Sequence, residues 1–148
     1  MARKPAKLKP PATVSKLKQL ADTEFSRYIR YRDGKLTENG WWAQCITCDK
    51  WFPYNKIQAG HFQSRRFNNT RFDEQNVNAQ CSGCNVFRYG EQYKYSKALD
   101  VKYGEGTADK LVLKAAENHK FLPDELIEIA VRAKEQASEL EQSGIVYE

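Results

Sequence analysis

Along residues 14–32 apolar positions return at helical spacing: Val14, Leu17, Leu20, Ala21, Phe25, Tyr28 and Ile29. That period predicts an amphipathic helix with one face against a core. The glycine- and asparagine-bearing stretch "RDGKLTENG" then breaks the pattern and reads as a loop. Two further helical stretches are expected, about 108–118 and 124–142. In the second, Leu126, Ala130, Ala133, Ala137 and Leu140 form one stripe, and Pro123, Asp124 and Glu125 suit a helix start. The stripe suits either a dimer seam or packing against the protein's own body.

The middle of the chain, 41–103, breaks this rule. No leucine occurs between Leu36 and Leu99, and the branched aliphatics from Cys45 to Phe87 are Ile46, Ile57, Val77 and Val86. A segment this poor in core residues needs a staple. Cys45, Cys48, Cys81 and Cys84, in "CITC" and "CSGC", supply the ligands of a closed four-thiolate zinc site. Zinc binding in small finger peptides contributes on the order of 10 kcal/mol, enough to replace the missing core. A closed site of this kind is structural and leaves no coordination position open for chemistry.

Charge narrows the choice of partner. The chain has 24 Lys+Arg against 19 Asp+Glu, and the excess is uneven. Arg3, Lys4, Lys7, Lys9, Lys16 and Lys18 precede the first carboxylate, whereas seven acids face two bases from Phe121 onward. A basic working surface on a neutral or acidic scaffold points to a polyanion, most commonly nucleic acid. No apolar run is long enough to cross a bilayer, and the Lys- and Pro-rich start lacks the apolar segment of a secretory signal. A cytoplasmic protein without a membrane partner is expected, which also favours metal over disulfides for the cysteines. Three regions follow: a flexible basic arm (1–13), a helix plus zinc-stapled core (14–104) and a C-terminal helical region (105–148).

Between the two cysteine pairs lies "QAGHFQSRR", with His61 just ahead of Arg65 and Arg66, followed by Arg71, Asp73, Glu74 and "QNVNAQC". Asn85 directly follows the last cysteine. The order Cys-x-x-Cys, Gly-His, Asn76, Cys-x-x-Cys, Asn85 resembles the HNH (ββα-metal) nuclease superfamily. More closely, "AGHF", "RFDEQNVNAQC", "CN", the following "Y…L…YG" and the upstream "FSRYIRYRD" resemble the NinG/Rap recombination endonucleases of lambdoid phages.

The resemblance implies an α+β fold: a zinc-stapled ββα-metal (HNH-like) core flanked by N- and C-terminal helices. It implies that His61 ends the first strand of the core, that Asn76 braces the intervening loop and that Asn85 projects from a helix beginning near Cys81. His61, Asn76 and Asn85 are then the catalytic candidates, with zinc outside the catalytic centre. The implied function is a metal-dependent, structure-selective DNA endonuclease acting on D-loops and Holliday junctions. If phage-encoded, it would work in the bacterial host cytoplasm. Symmetric junction cutting would call for a homodimer.

The chemistry fits such a role. A neutral imidazole can take a proton from water, and Mg2+ or Mn2+ can stabilise charge at the phosphate. Ala59 and Gly60 would let a sugar-phosphate backbone approach. Arg65, Arg66, Arg71, Arg88, Lys94 and Lys97 are the candidate DNA contacts, the last three interleaved with Phe87, Tyr89, Tyr93 and Tyr95 for base stacking. At two positions the chain departs from the family pattern. Gly60 stands where many HNH nucleases carry an aspartate, and Gln58 where relatives resembling NinG often carry one. Asn85 is then the expected ligand of a catalytic ion, and three alternatives stay open: Gln58 substitutes for the aspartate, Asp73 or Glu74 comes in from the loop, or the ion is held weakly. The alternative reading is a zinc-containing DNA-binding adaptor that cuts nothing.

Overall fold

Thr13 caps the first helix, its hydroxyl accepting from the Lys16 amide at 3.2 Å. In the computed structural model, which describes residues 12–144, 146 and 147, this helix (α1) runs Val14–Arg32 and ends in Arg30 and Arg32, as the helix dipole favours. Apart from Ala12 and Thr13, the basic arm lies outside the described residues. The buried face of α1 (Leu17, Ala21, Phe25, Ile29) packs on the last helix, α5, at Pro123–Gln142. The α5 stripe Leu126, Ala130, Ala133 and Ala137 is buried there, its alanines allowing close approach. The stripe is thus used inside the chain and is not a dimer seam.

After α1, a hairpin of β1 (Gly34–Thr37) and β2 (Gly40–Gln44) turns at Gly40, whose φ of +92° suits a residue without a Cβ. The first cysteine knuckle links β2 to β3 (Trp51–Pro53), and β6 (Val146–Tyr147) pairs parallel to β1. A second, two-stranded antiparallel sheet joins β4 (Ile57–His61) to β5 (Val77–Cys81), with Ile57 opposite Cys81 and His61 opposite Val77. The short helix α2 (Asn68–Arg71) lies in the connecting loop, and a π-helical turn, Gly83–Phe87, follows β5. Among the described residues this is a mixed α+β architecture.

Strand β5 is buried along its whole length, although Asn78 and Gln80 alternate with apolar residues. Their amides explain how. Asn78 Oδ1 accepts from Arg32, Lys102 and Tyr103, and its Nδ2 donates to the Gln75 carbonyl and the Tyr95 hydroxyl. Gln80 donates to Thr47 and to the Gly90 carbonyl. A buried polar network, complete but for Gln80 Oε1, replaces part of the aliphatic core that the middle segment lacks.

Helix α3 (Gln92–Tyr103) was not among the expected elements; Tyr95 and Leu99 anchor it, while Tyr93 and Val101 point to solvent and blur its period. Helix α4 (Thr107–Ala115) follows at the expected place. Among the described residues no helix is long and apolar enough to cross a membrane.

Candidate active site and metal centre

The sulfurs of Cys45, Cys48, Cys81 and Cys84 all lie within 4.8 Å of one another. Cys48 and Cys81 approach to 3.8 Å, the edge expected of a tetrahedron with Zn–S bonds of about 2.3 Å. Burial pushes Cys45 up, but donors from Thr47, Cys48 and Cys81 outweigh it and bring the thiol down to about 7. Burial and the neighbouring sulfurs push Cys48 up to about 12. A cation among them would let four thiolates share this space. The quartet could therefore hold a metal ion such as zinc, joining the end of β2 to the end of β5. Arg88 donates to Cys84 Sγ at 2.9 Å and pairs with Glu91, so it serves the knuckle.

Beside this centre a cleft of about 540 Å³ opens between α1, β4 and the π-helical turn. Gln58, His61 and Asn85 line it together with Asp22, Arg30 and Arg65. The imidazole is fixed by one bond: His61 Nε2 lies 2.9 Å from the Arg71 carbonyl oxygen. A carbonyl only accepts, so Nε2 carries the proton and Nδ1 holds the lone pair. Burial, reinforced by Arg65, lowers the His61 pKa to about 4 against the raising effect of the Arg71 carbonyl. The ring is thus neutral at cellular pH, with Nδ1 unprotonated.

Asn76 is fully buried, and its amide accepts from Gln63 N at 2.8 Å and donates to the Gln63 and Thr70 carbonyls at 3.0 Å. It ties both ends of the loop after His61 and does not itself line the cleft. Gly60 is also a packing residue: a Cβ there would collide with the Gln80 side chain. Its small size serves the strand pair, not the close approach of DNA.

Several expected site residues have other work. Asp73 accepts from the amides of Gln75 and Asn76 and pairs with Lys114, closing a turn away from the cleft. Glu74 lines a different cavity, with Phe72 and Arg132. Neither carboxylate is positioned as a ligand beside His61. Arg71 is not a DNA clamp either, because its guanidinium grips Asp22, with Nε at 3.0 Å from Oδ1. Arg65 and Arg66 remain exposed; Arg66 stacks on Phe67, its guanidinium carbon 4.7 Å from the ring centroid. Lys94 and Lys97 line a second groove.

Asp22 and Arg30 were missed as cleft residues. They stand on one face of α1 with Phe25 and Ser26, at i, i+3, i+4 and i+8. A charged pair at that spacing on either side of buried Phe25 was the available signal. Arg30 also stacks on Tyr54, 4.3 Å from its centroid.

The oxygen donors facing the cleft are few. Asn85 Nδ2 donates to Gln58 Oε1 at 2.8 Å, and the one carboxylate of the lining, Asp22, is held by Arg71. Mg2+ and Mn2+ favour carboxylates and phosphates. The residues present do not fit a protein-held hard cation.

A family model described as Bacteriophage Lambda NinG protein matches residues 2–143. Comparisons with curated proteins and with solved structures give no match.

Proposed function

Since the chain belongs to the bacteriophage lambda NinG protein family, we propose that it is a metal-dependent, structure-selective DNA endonuclease acting on branched recombination intermediates. The observation that carries this reading is the fixed tautomer of His61 in a cleft lined by Arg30 and Arg65. The Nδ1 lone pair takes a proton from a water molecule as its oxygen attacks phosphorus. The P–O bond to the leaving oxygen breaks, and that oxygen takes a proton from solvent. Arg30 and Arg65 bind the phosphate and stabilise the charge that grows on it.

Asn76 positions the loop that carries Arg65, and zinc holds the hairpin from outside the cleft. Dependence on Mg2+ or Mn2+ enters through the family resemblance. With Asp22 neutralised by Arg71, an ion in this cleft would owe its charged ligands to DNA phosphate. A homodimer for symmetric junction cutting would need a face other than the α5 stripe.

A second reading, a non-catalytic zinc-containing DNA-binding adaptor, is favoured by the Gln58–Asn85 bond, because two neutral amides satisfy each other. Incubating the protein with linear, forked and four-way DNA in Mg2+ or Mn2+ separates the two. Nicking of branched over linear DNA supports the endonuclease. Tight binding with no nicking in either ion selects the adaptor.

A further inference from the structure

A second groove, of about 710 Å³, shares no lining residue with the His61 cleft. It runs between the first cysteine knuckle and one face of α3, where Lys94, Lys97, Ala98 and Val101 follow at helical spacing. Lys35 and Lys102 add two more cations. Of the two acids in the lining, Asp33 is held by Arg32 and Lys102, which leaves Asp49 as the other carboxylate against these lysines.

Two aromatic rings accompany the charge. Trp51 is 42% exposed and Tyr93 is 74% exposed, although rings of this size are normally covered. Each has a lysine above its face: Lys35 Nζ lies 5.2 Å from the Trp51 centroid, and Lys97 Nζ 5.5 Å from that of Tyr93.

We infer that this groove binds an unpaired nucleic-acid strand, with phosphates on Lys94 and Lys97 and bases stacked on Trp51 and Tyr93. Duplex DNA keeps its base faces inside the helix and cannot use the rings. An acidic peptide would use the lysines and leave Trp51 and Tyr93 without a role. Stacking platforms beside a basic track are the physical requirement for sequence-tolerant single-strand binding. The inference rests on DNA as the substrate of the proposed function and on none of the catalytic assignments. It gives the enzyme a place for the single-stranded arm of a D-loop while the cleft engages the phosphate to be cut.

The test uses the full-length, zinc-loaded protein and a labelled dT oligonucleotide, without added Mg2+ or Mn2+. Binding should quench tryptophan emission, and Trp51→Phe should lose most of that quench while still binding. The double variant Lys94→Glu/Lys97→Glu should weaken binding at least about tenfold, and removing the two contacts should reduce the slope of log K on log salt by about 1.4. His61→Gln should bind the oligonucleotide like the wild type, so a failed cleavage reading leaves this result standing. Unchanged affinity in the double variant would overturn the inference. So would a full quench in Trp51→Phe, or equal competition by matched duplex or polyglutamate.

Discussion

Asn85 donates its side-chain amide to Gln58 Oε1 at 2.8 Å, tying the turn after Cys84 to the strand that ends in His61. The bond joins two neutral groups at the mouth of a cleft whose single carboxylate is already paired. It is therefore the contact that a divalent ion entering the cleft would meet. Gln58→Asp would put a hard, charged oxygen beside Asn85. The free variant should bind Mn2+ at least about tenfold more tightly than the wild type, a gain of about 1.4 kcal/mol. Titration calorimetry without DNA reads this directly, and equal affinities would mean that the amide pair is not where an ion sits.

His61 makes stability depend on pH. Its folded pKa of about 4 lies below the ordinary value of 6.5, so the unfolded chain binds the extra proton between these limits. Stability from this residue is complete above about 6.5 and declines as pH falls toward 4, by about 3 kcal/mol in total. His61→Gln keeps an N–H for the Arg71 carbonyl but does not titrate. Between pH 7 and 5.5 the wild type should lose about 1 kcal/mol more than this variant in urea unfolding. Parallel stability curves would show that the imidazole is not shielded as described.

Metal removal should act on structure before chemistry. Cys81 is both a ligand candidate and the residue paired with Ile57 at the end of the β4–β5 ladder. Cys81→Ser should release the bound zinc, measurable as about one equivalent in the wild type, and melt the region between Trp41 and Tyr103. A metal-free variant with the wild-type melting temperature would contradict the staple.

The Asp22–Arg71 pair is mostly enclosed, with side chains 16% and 15% exposed. Arg71→Ala leaves the carboxylate with only the exposed Arg65, 3.8 Å away, and should cost about 3 kcal/mol. Asp22→Asn combined with Arg71→Ala should cost less than the two single changes added together, because the stranded charge has gone. Additive losses in chemical denaturation would rule out the coupling.

Periodicity made α1 and α5 legible, since both bury one stripe against the other and the signal lies within each helix. The cysteine spacing likewise located the four-thiol cluster that could hold a metal ion. The cleft was harder to read. Asp73 and Glu74 follow Arg71 closely in the chain, yet the turn capped by Asp73 carries both away from His61. Asp22 and Arg30 reach the cleft from a helix that ends at Arg32, 29 residues before His61 in sequence, a tertiary proximity that no local pattern encodes. Gly60 invited a ligand-approach explanation, but the Gln80 side chain beneath it supplies the steric reason. Helix α3 escaped notice because exposed Tyr93 and Val101 obscure the face formed by Tyr95 and Leu99.

Single-turnover cleavage of a four-way junction by His61→Gln, at protein concentrations that saturate binding, tests the role of the imidazole most directly. The substituted amide keeps the bond to the Arg71 carbonyl and has no basic nitrogen, so junction binding and zinc content should match the wild type. The rate should fall at least about a hundredfold, the usual contribution of a general base. Cleavage by the variant at the wild-type rate would contradict the assignment of His61 and, with it, the hydrolytic account of the cleft.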